Sequence, residues 1–504
     1  MKEINGMLTE QEISVAEKCV EKALGLGADK IRVTLNKSLM ELFGTLNGEL
    51  DKVSHCLDRS ISVCLFVDGK FGSFSTNRLV ESELNDFLTK AIATVRMLAD
   101  DPCRELPDPS RTAKNAVTGK ELGLYDEGYP DVTADQRRRM AMDAAIFKKH
   151  SGDGLISEEG EYSDSIFDSL VLDSNGLRCR HTETSFEYGV EVTVQDADGN
   201  RFSGYWWDAT PMLKDLRINE CGETAFKRAM SQIGPVRIES GKYRMVIDSE
   251  VASRLITPVL NALGGYSLQQ KNSFMLDSLG KKVFPEWLNV GDKPVSVGET
   301  GSRLFDSEGV ATAEGAIIEK GVVKKYFVNT YMSHKMGVDP TIEDATRPVV
   351  MPCVAPALAS AATGGAGAST GSATAVRMSA FPADMVRQAH QPDAVVRQAH
   401  QPVAELVEAP GTFGKEEMMR LLGEGILVTG FNGGNSNSAT GDFSFGVEGF
   451  LFKDGKIVHP VREMLITGNL LTLWNSLLAA GNDARFCKSK LIPTLAFGNV
   501  DFSA

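Results

Sequence analysis

The feature that most restricts the fold is an order of elements that occurs twice. Thr9 and Glu12 make a capping box, each side chain satisfying the other's backbone N–H, so a helix opens there and ends near Gly25 and Gly27. The alternating segment IRVTL follows as a strand. Asn47-Gly48 and Asp68-Gly69 are hairpin turns, because both central residues tolerate positive φ, and a second helix is predicted at roughly 79–98. The same order then returns. Thr133 with Gln136 caps a helix to about Lys149, strands occupy roughly 154–207 around Asn175-Gly176 and Asp198-Gly199, and a helix spans about 219–232. LNGEL at 46–50 matches SNGLR at 174–178, and VDGKFGSF at 67–74 matches ADGNRFSGY at 197–205. Residues 1–235 are therefore expected to form a duplicated helix–β-sheet–helix unit of α+β class. Two such copies side by side make either one continuous sheet or a groove, and the sequence leaves both open.

A chain of 504 residues is too long for one ordinary core, and its character changes at Ser240. RMVID is a short apolar strand, Ser249 to Leu263 is a modest helix interrupted by Pro258, and strands and hairpins dominate afterwards, with turns at Lys320-Gly321 and Asp454-Gly455. Residues 240–504 thus read as a mostly antiparallel β domain. Residues 354–409 interrupt it as a low-complexity insertion, in which VRQAHQP occurs at 386–392 and again at 396–402.

A net charge of −14 argues against a dedicated nucleic-acid binder, which needs a basic face to displace counterions. The run Arg137-Arg138-Arg139 falls in a predicted helix and is expected to face solvent. The eight cysteines form no CxxC pair, which fits free thiols in a reducing compartment. No run approaches the ~18 apolar residues needed to cross a bilayer, and the start, MKEINGMLTEQE, does not read as a signal peptide. A cytoplasmic protein is the expectation.

By spacing alone, no catalytic set stands out. The seven histidines, at 55, 150, 181, 334, 390, 400 and 459, include no pair at helical zinc-site spacing. Cys179 and His181 would share one face of a strand and make half a metal site, but no further ligand is in view. Gly367-Ala368-Ser369-Thr370-Gly371 matches GxSxG, yet lacks the strand before and helix after that give the motif its elbow. GFNGGN at 430–435 lacks both the GxGxxG order and a following helix, so its glycines mark sharp turns or bulges.

Five segments, however, occur together in one order: SFMLDSLGKKVFP (273–285), FDSEGVATAEGAIIEKGVVKKYF (305–327), ATGDFSFGVEGFLFKDGKIVHPV (439–461), ITGNL (466–470) and GND (481–483). In these the chain resembles the TldD/PmbA family of zinc-dependent peptidases. The resemblance implies two kinds of member. The TldD kind carries HExxxH on a helix just before the element matching NSFMLDSLG, and a late cysteine completes its zinc site. Here the corresponding residues are Ile256, Thr257, Pro258, Val259, Leu260 and Asn261, and Cys487 stands alone as an echo of the late cysteine. The chain therefore resembles the PmbA (TldE) kind.

That resemblance implies an accessory subunit without a catalytic, metal or cofactor residue of its own. Zinc is then expected in a TldD-like catalytic partner, with unfolded peptides as substrates; a homodimer is the other assembly considered. The family's association with DNA gyrase is a genetic label, and the acidic composition gives it no support as direct DNA contact. Within the shared signature, Asn437, Thr440, Asp442 and Phe443 are the candidates for lining a peptide groove, where a strand edge could receive an extended peptide. The alternative is that they only cap a turn. Two other functions are weighed: a stand-alone hydrolase assembled from distant residues such as Cys179, His181 and Cys487, and a homodimeric peptide-binding scaffold.

Overall fold

The computed structural model describes residues 6–113, 116, 118–363 and 414–504. The capping box at Thr9 opens helix α1 (Glu10–Gly25), which leads into β1 (Lys30–Leu46), β2 (Glu49–Val67), β3 (Lys70–Thr76) and helix α2 (Glu81–Val95). The second round comprises α3 (Ala134–Asp143), the single turn α4 (Phe147–His150), β4 (Leu155–Asp173), β5 (Arg178–Gln195), β6 (Arg201–Thr210) and α5 (Ile218–Met230). The predicted helix from Thr133 to Lys149 is thus split. The buried carboxylate of Glu158 accepts the backbone N–H of Ile146 at 2.9 Å and of Phe147 at 2.6 Å, which starts a new turn there.

The choice between one sheet and a groove resolves into one sheet. All six strands join in the order β3-β2-β1-β4-β5-β6, and the two units meet where β1 runs antiparallel to β4, from Arg32 opposite Asp173 to Leu46 opposite Glu159. The alternation in β1 puts Ile31, Val33 and Leu35 under α1 and α2. Tyr162, Tyr188 and Val190 of the second unit face α3 and α5. Between these two apolar layers lies a polar seam of matched charges. Arg137 holds the fully buried Asp164 in a two-pronged contact at 2.6 and 2.9 Å, and Lys37 pairs with Glu12 at 3.0 Å.

The segment between the units fastens them to the rest of the chain. Arg104 lies between the rings of Phe71 and Tyr331, while Ala113 N–H donates to the Gly309 carbonyl at 2.9 Å.

The C-terminal half starts with β7 (Gly241–Ile247), α6 (Ser253–Ala262) and α7 (Gly265–Gln269). The short strands β8 (Val290–Asp292), β9 (Gly315–Glu319), β10 (Val322–Val323) and β11 (Pro348–Val350), with α8 (Thr330–Met336) among them, form a four-stranded sheet. Then come β12 (Cys353–Val354), α9 (Pro356–Thr363), α10 (Lys415–Leu422), β13 (Glu424–Ser436), β14 (Asp442–Lys453), β15 (Lys456–Asn469), α11 (Leu470–Asn475), β16 (Leu477–Ala480) and β17 (Leu495–Ser503). Part of the segment read as low-complexity is therefore helical, and the VRQAHQP pair and the GxSxG match lie outside the described residues. The seven-stranded sheet closes on itself: β7 lies parallel to β13 and antiparallel to β17, and β17 also pairs with β15 and β16. Its pairing is mostly antiparallel, with β7–β13 the parallel contact. No helix among the described residues is long and apolar enough to cross a membrane.

Candidate functional site

Helix α6 occupies the place where the resemblance puts HExxxH. The sequence expectation started this helix at Ser249, but the Asp248 side chain takes the Glu250 N–H at 2.9 Å and holds residues 249–252 in turns. Leu255, Ile256 and Val259 are fully buried and Leu260 nearly so, in a core shared with Met245, Ile426, Phe445 and Trp474. Trp474 locks the packing by donating its ring N–H to the Leu255 carbonyl at 3.3 Å. At Pro258 the helix loses a backbone donor, and the Thr257 hydroxyl bonds back to the Ser253 carbonyl at 2.8 Å. Helix α6 offers this site neither an imidazole nor a carboxylate.

Beside its N-terminal end, a cleft of about 330 Å³ opens between the two halves of the chain. Trp206 and Asp208 of β6, with Arg217, Glu220, Thr224 and Arg228 at the start of and along α5, form one wall, and Asp248, Glu250, Lys415 and Arg485 form the other. Arg485 is the hub. Its guanidinium lies 4.4 Å from the Trp206 ring centroid, donates to Glu250 Oε1 at 2.7 Å and to the Trp207 carbonyl at 2.6 Å, and pairs with Asp208 at 3.3 Å. Lys488 adds a contact to Glu250 Oε2 at 3.0 Å, and Lys415 pairs with Asp248 at 3.0 Å. Burial works against the charge on Asp248, but Lys415 and the Glu250 N–H outweigh it and hold the group below the ordinary carboxylate range. Cys487 stands next to this network. Burial raises its thiol above the usual range despite the nearby Arg485, which keeps it protonated. Asp208, Asp248 and Glu250 are each paired with a cation, and Arg485 ties the two walls of the cleft together through Asp208 and Glu250.

The other sequence candidates fall elsewhere. Asn437, Thr440, Asp442 and Phe443 lie at the β13–β14 turn. The Asn437 carboxamide accepts the N–H groups of Ala439 and Thr440 at 2.9 and 3.2 Å, and the Thr440 hydroxyl donates to Asp442 at 2.7 Å. Asn469 donates to both the Thr440 carbonyl and the Asp442 carboxylate, whose bonds with Asn469 and Thr440 keep it below its normal pKa. The three polar residues are exposed but internally bonded, whereas Phe443 is buried, its ring stacked 5.2 Å from that of Phe445.

Cys179 is fully buried, its thiol pushed up to about 12 by burial and by Asp173 and Asp306, and His181 bonds to Glu183 at 2.9 Å. Among the described residues no three His, Cys, Asp or Glu side chains are grouped to hold a metal ion. The zinc that the resemblance ties to this fold has no fitting ligand set here: its helix positions hold Ile256, Thr257 and Asn261, and Cys487 is left as a lone thiol. Sequence reasoning missed the Arg485 network. The signal for it was the Trp206-Trp207 pair, two of the four tryptophans, on an outer-lying strand.

Residues 240–504 match the PmbA/TldA metallopeptidase C-terminal domain, and residues 128–233 match the central domain of the same family. The metalloprotease PmbA of Escherichia coli O157:H7 is 24% identical over 496 residues, covering 96% of each chain. Among solved structures, a protein of Bacteroides thetaiotaomicron described as a modulator of DNA gyrase is 35% identical, covers 99% of this chain and 100% of its own, and superposes with a TM-score of 0.84. TldE from Thermococcus kodakarensis shares the fold at a TM-score of 0.73 and 16% identity, over 97% of this chain and 100% of its own. With more than half its length matched by one domain model, the chain belongs to the PmbA/TldD metallopeptidase family.

Proposed function

We propose that this chain is the non-catalytic, PmbA/TldE-type member of a two-subunit zinc peptidase that trims unfolded peptides in the cytoplasm. The observation that carries this reading is helix α6, where the two histidine positions of HExxxH hold Ile256 and Asn261 and the glutamate position holds Thr257, so the helix brings neither imidazole nor carboxylate to the place. An isoleucine, a threonine and an asparagine give no pair of zinc ligands, and the single thiol of Cys487 cannot stand in for two imidazoles. The metal then belongs to a partner with an intact HExxxH, and this chain supplies surface. The Arg485 cleft and the Asn437–Phe443 turn are its proposed contributions to holding the peptide; the turn's exposed polar groups frame the end of two long strands.

The test is reconstitution with an HExxxH-bearing paralogue from the same genome. The expected result is a stable complex that cleaves an unfolded, casein-like peptide, with activity lost on chelation, while this chain alone shows neither stoichiometric zinc nor turnover. Failure to associate, or equal digestion by the paralogue alone, overturns the reading.

A further inference from the structure

A second cavity, of about 650 Å³, lies between β6 of the first half and the β14–β15 hairpin of the second. Val447 and Met464 turn inward to the core of the strand ring, so the cavity sits on the outer face of that hairpin. Arg201 and Gln232 stand on one side of it, and Asn432, Glu448, Arg462 and Leu465 on the other. Gln232 joins the two sides: its Nε2 donates to the Ser203 carbonyl at 2.7 Å, and its Oε1 accepts from Arg462 Nη2 at 2.7 Å.

A bulge sets the charges here. β14 and β15 pair Val447 with Met464 and Gly449 with Val461, so Glu448 stands across from both Arg462 and Glu463. Glu463 turns out to Arg237 at 3.0 Å, both of them exposed. Cross-strand neighbours of opposite sign ordinarily pair, yet Glu448 and Arg462 are held apart. Asn432 donates to Glu448 Oε2 at 3.3 Å, and Gly430 leaves room for that carboxylate, since a Cβ there would come within 2.5 Å of Oε1. Arg462 is drawn the other way, its guanidinium 4.6 Å from the Phe202 ring centroid and bonded to Gln232. Its Nε is buried without a partner, an exception among buried donors. Among the described residues Arg201, Glu448 and Arg462 form no ion pair, so the cavity presents unneutralised charge of both signs.

We infer that this cavity binds a short peptide with both ends free, its carboxylate against Arg462 and Arg201 and its ammonium against Glu448. A guanidinium suits a carboxylate because its planar donors can grip both oxygens. A ligand with one charge leaves the opposite group unmatched, whereas a free-ended peptide meets both. Leu465, 46% exposed, offers a side chain an apolar contact. The volume falls within the about 300–1,000 Å³ that encloses compact organic ligands, which suits a peptide of a few residues rather than a single amino acid. The site uses no residue of α6 or of the Arg485 cleft and is formed by this chain alone, so it is tested apart from any catalytic partner.

Titration calorimetry of the full chain with trialanine is expected to show a single site. Acetyl-trialanine and trialanine amide, each lacking one charge, should bind about tenfold more weakly. Glu448→Gln should bind trialanine about tenfold more weakly and no longer distinguish it from the acetylated form, while still discriminating against the amide. Arg462→Gln should show the converse. Arg201→Gln, at an exposed side chain, should narrow the preference for trialanine over its amide with thermal melting unchanged, and serves where Arg462→Gln fails to fold. No binding of trialanine, equal binding of the blocked peptides, variants that weaken all three peptides alike, or glycine binding as tightly as trialanine overturns the inference.

Discussion

Asp306 is 8% exposed and accepts the N–H groups of Glu308 and Val310 on one oxygen, each at 2.9 Å. Burial, followed by the neighbouring charges of Glu343 and Glu308, raises its pKa to about 7. In the unfolded chain the group titrates near ~3.9, so between those values the folded state binds the extra proton. Stability contributed by this protonation is present at low pH and is lost as pH rises through about 7. Asp306→Asn keeps an acceptor for the two N–H groups and removes the charge. It should stabilise the protein on the order of 4 kcal/mol at pH 8 and about 1.5 kcal/mol at pH 5, and leave it nearly unchanged at pH 3, as read from urea unfolding midpoints. The turns also show what single residues reveal. Asn47-Gly48, Asp68-Gly69, Lys320-Gly321 and Asp454-Gly455 all have positive φ at both positions, which Gly, Asn and Asp tolerate and which Lys320 adopts because the hairpin imposes it. At Gly176 and Gly199 only the glycine does. There Asp173 and Asp196, two residues before the turn's Asn175 and Asp198, accept N–H groups and build a wider loop. That carboxylate was visible in the sequence and distinguishes the two turn types.

Among the elements, helices and hairpins were legible because caps and alternation are local. The break between α3 and α4 was not, since its cause is Glu158, eleven residues beyond the new turn's first residue, folded back from β4. Glu158→Ala strands two buried N–H groups and should cost about 2 kcal/mol, with faster amide exchange confined to residues 145–150. Glu158→Gln, which keeps an acceptor, should cost less than half of that. In α6, Pro258 and the missing HExxxH were plain in the sequence. The depth to which Ile256 and Val259 are buried was not, because that depends on Trp474 and Phe497, more than two hundred residues away in the chain. The candidate site was read least well. Arg485, Glu250, Asp208 and Lys415 come from four separate segments, and no spacing rule joins them.

At the scale of the molecule, the Arg485 hub joins β6 of the first half to the Glu250 turn of the second. Its guanidinium has aromatic rings on one side and two acids on the other, at 13% side-chain exposure. Arg485→Ala leaves Asp208 and Glu250 with fewer counter-charges in a partly buried cleft, and should lower stability by about 3 kcal/mol. Hydrogen exchange should rise together in 206–208 and 248–250, while the β1–β4 junction stays protected.

The ring of strands in the C-terminal half also dictates an order of events. Strand β7 forms at residues 241–247, but one of its two flanking partners is β17, at 495–503. Contacts this far apart along the chain pay their loop-closure entropy before they gain anything, so they form late. During synthesis β7 must therefore wait for β13 on one side and, longer still, for β17 on the other. The strand that shuts the ring, β17, is reached only after every other strand of that sheet.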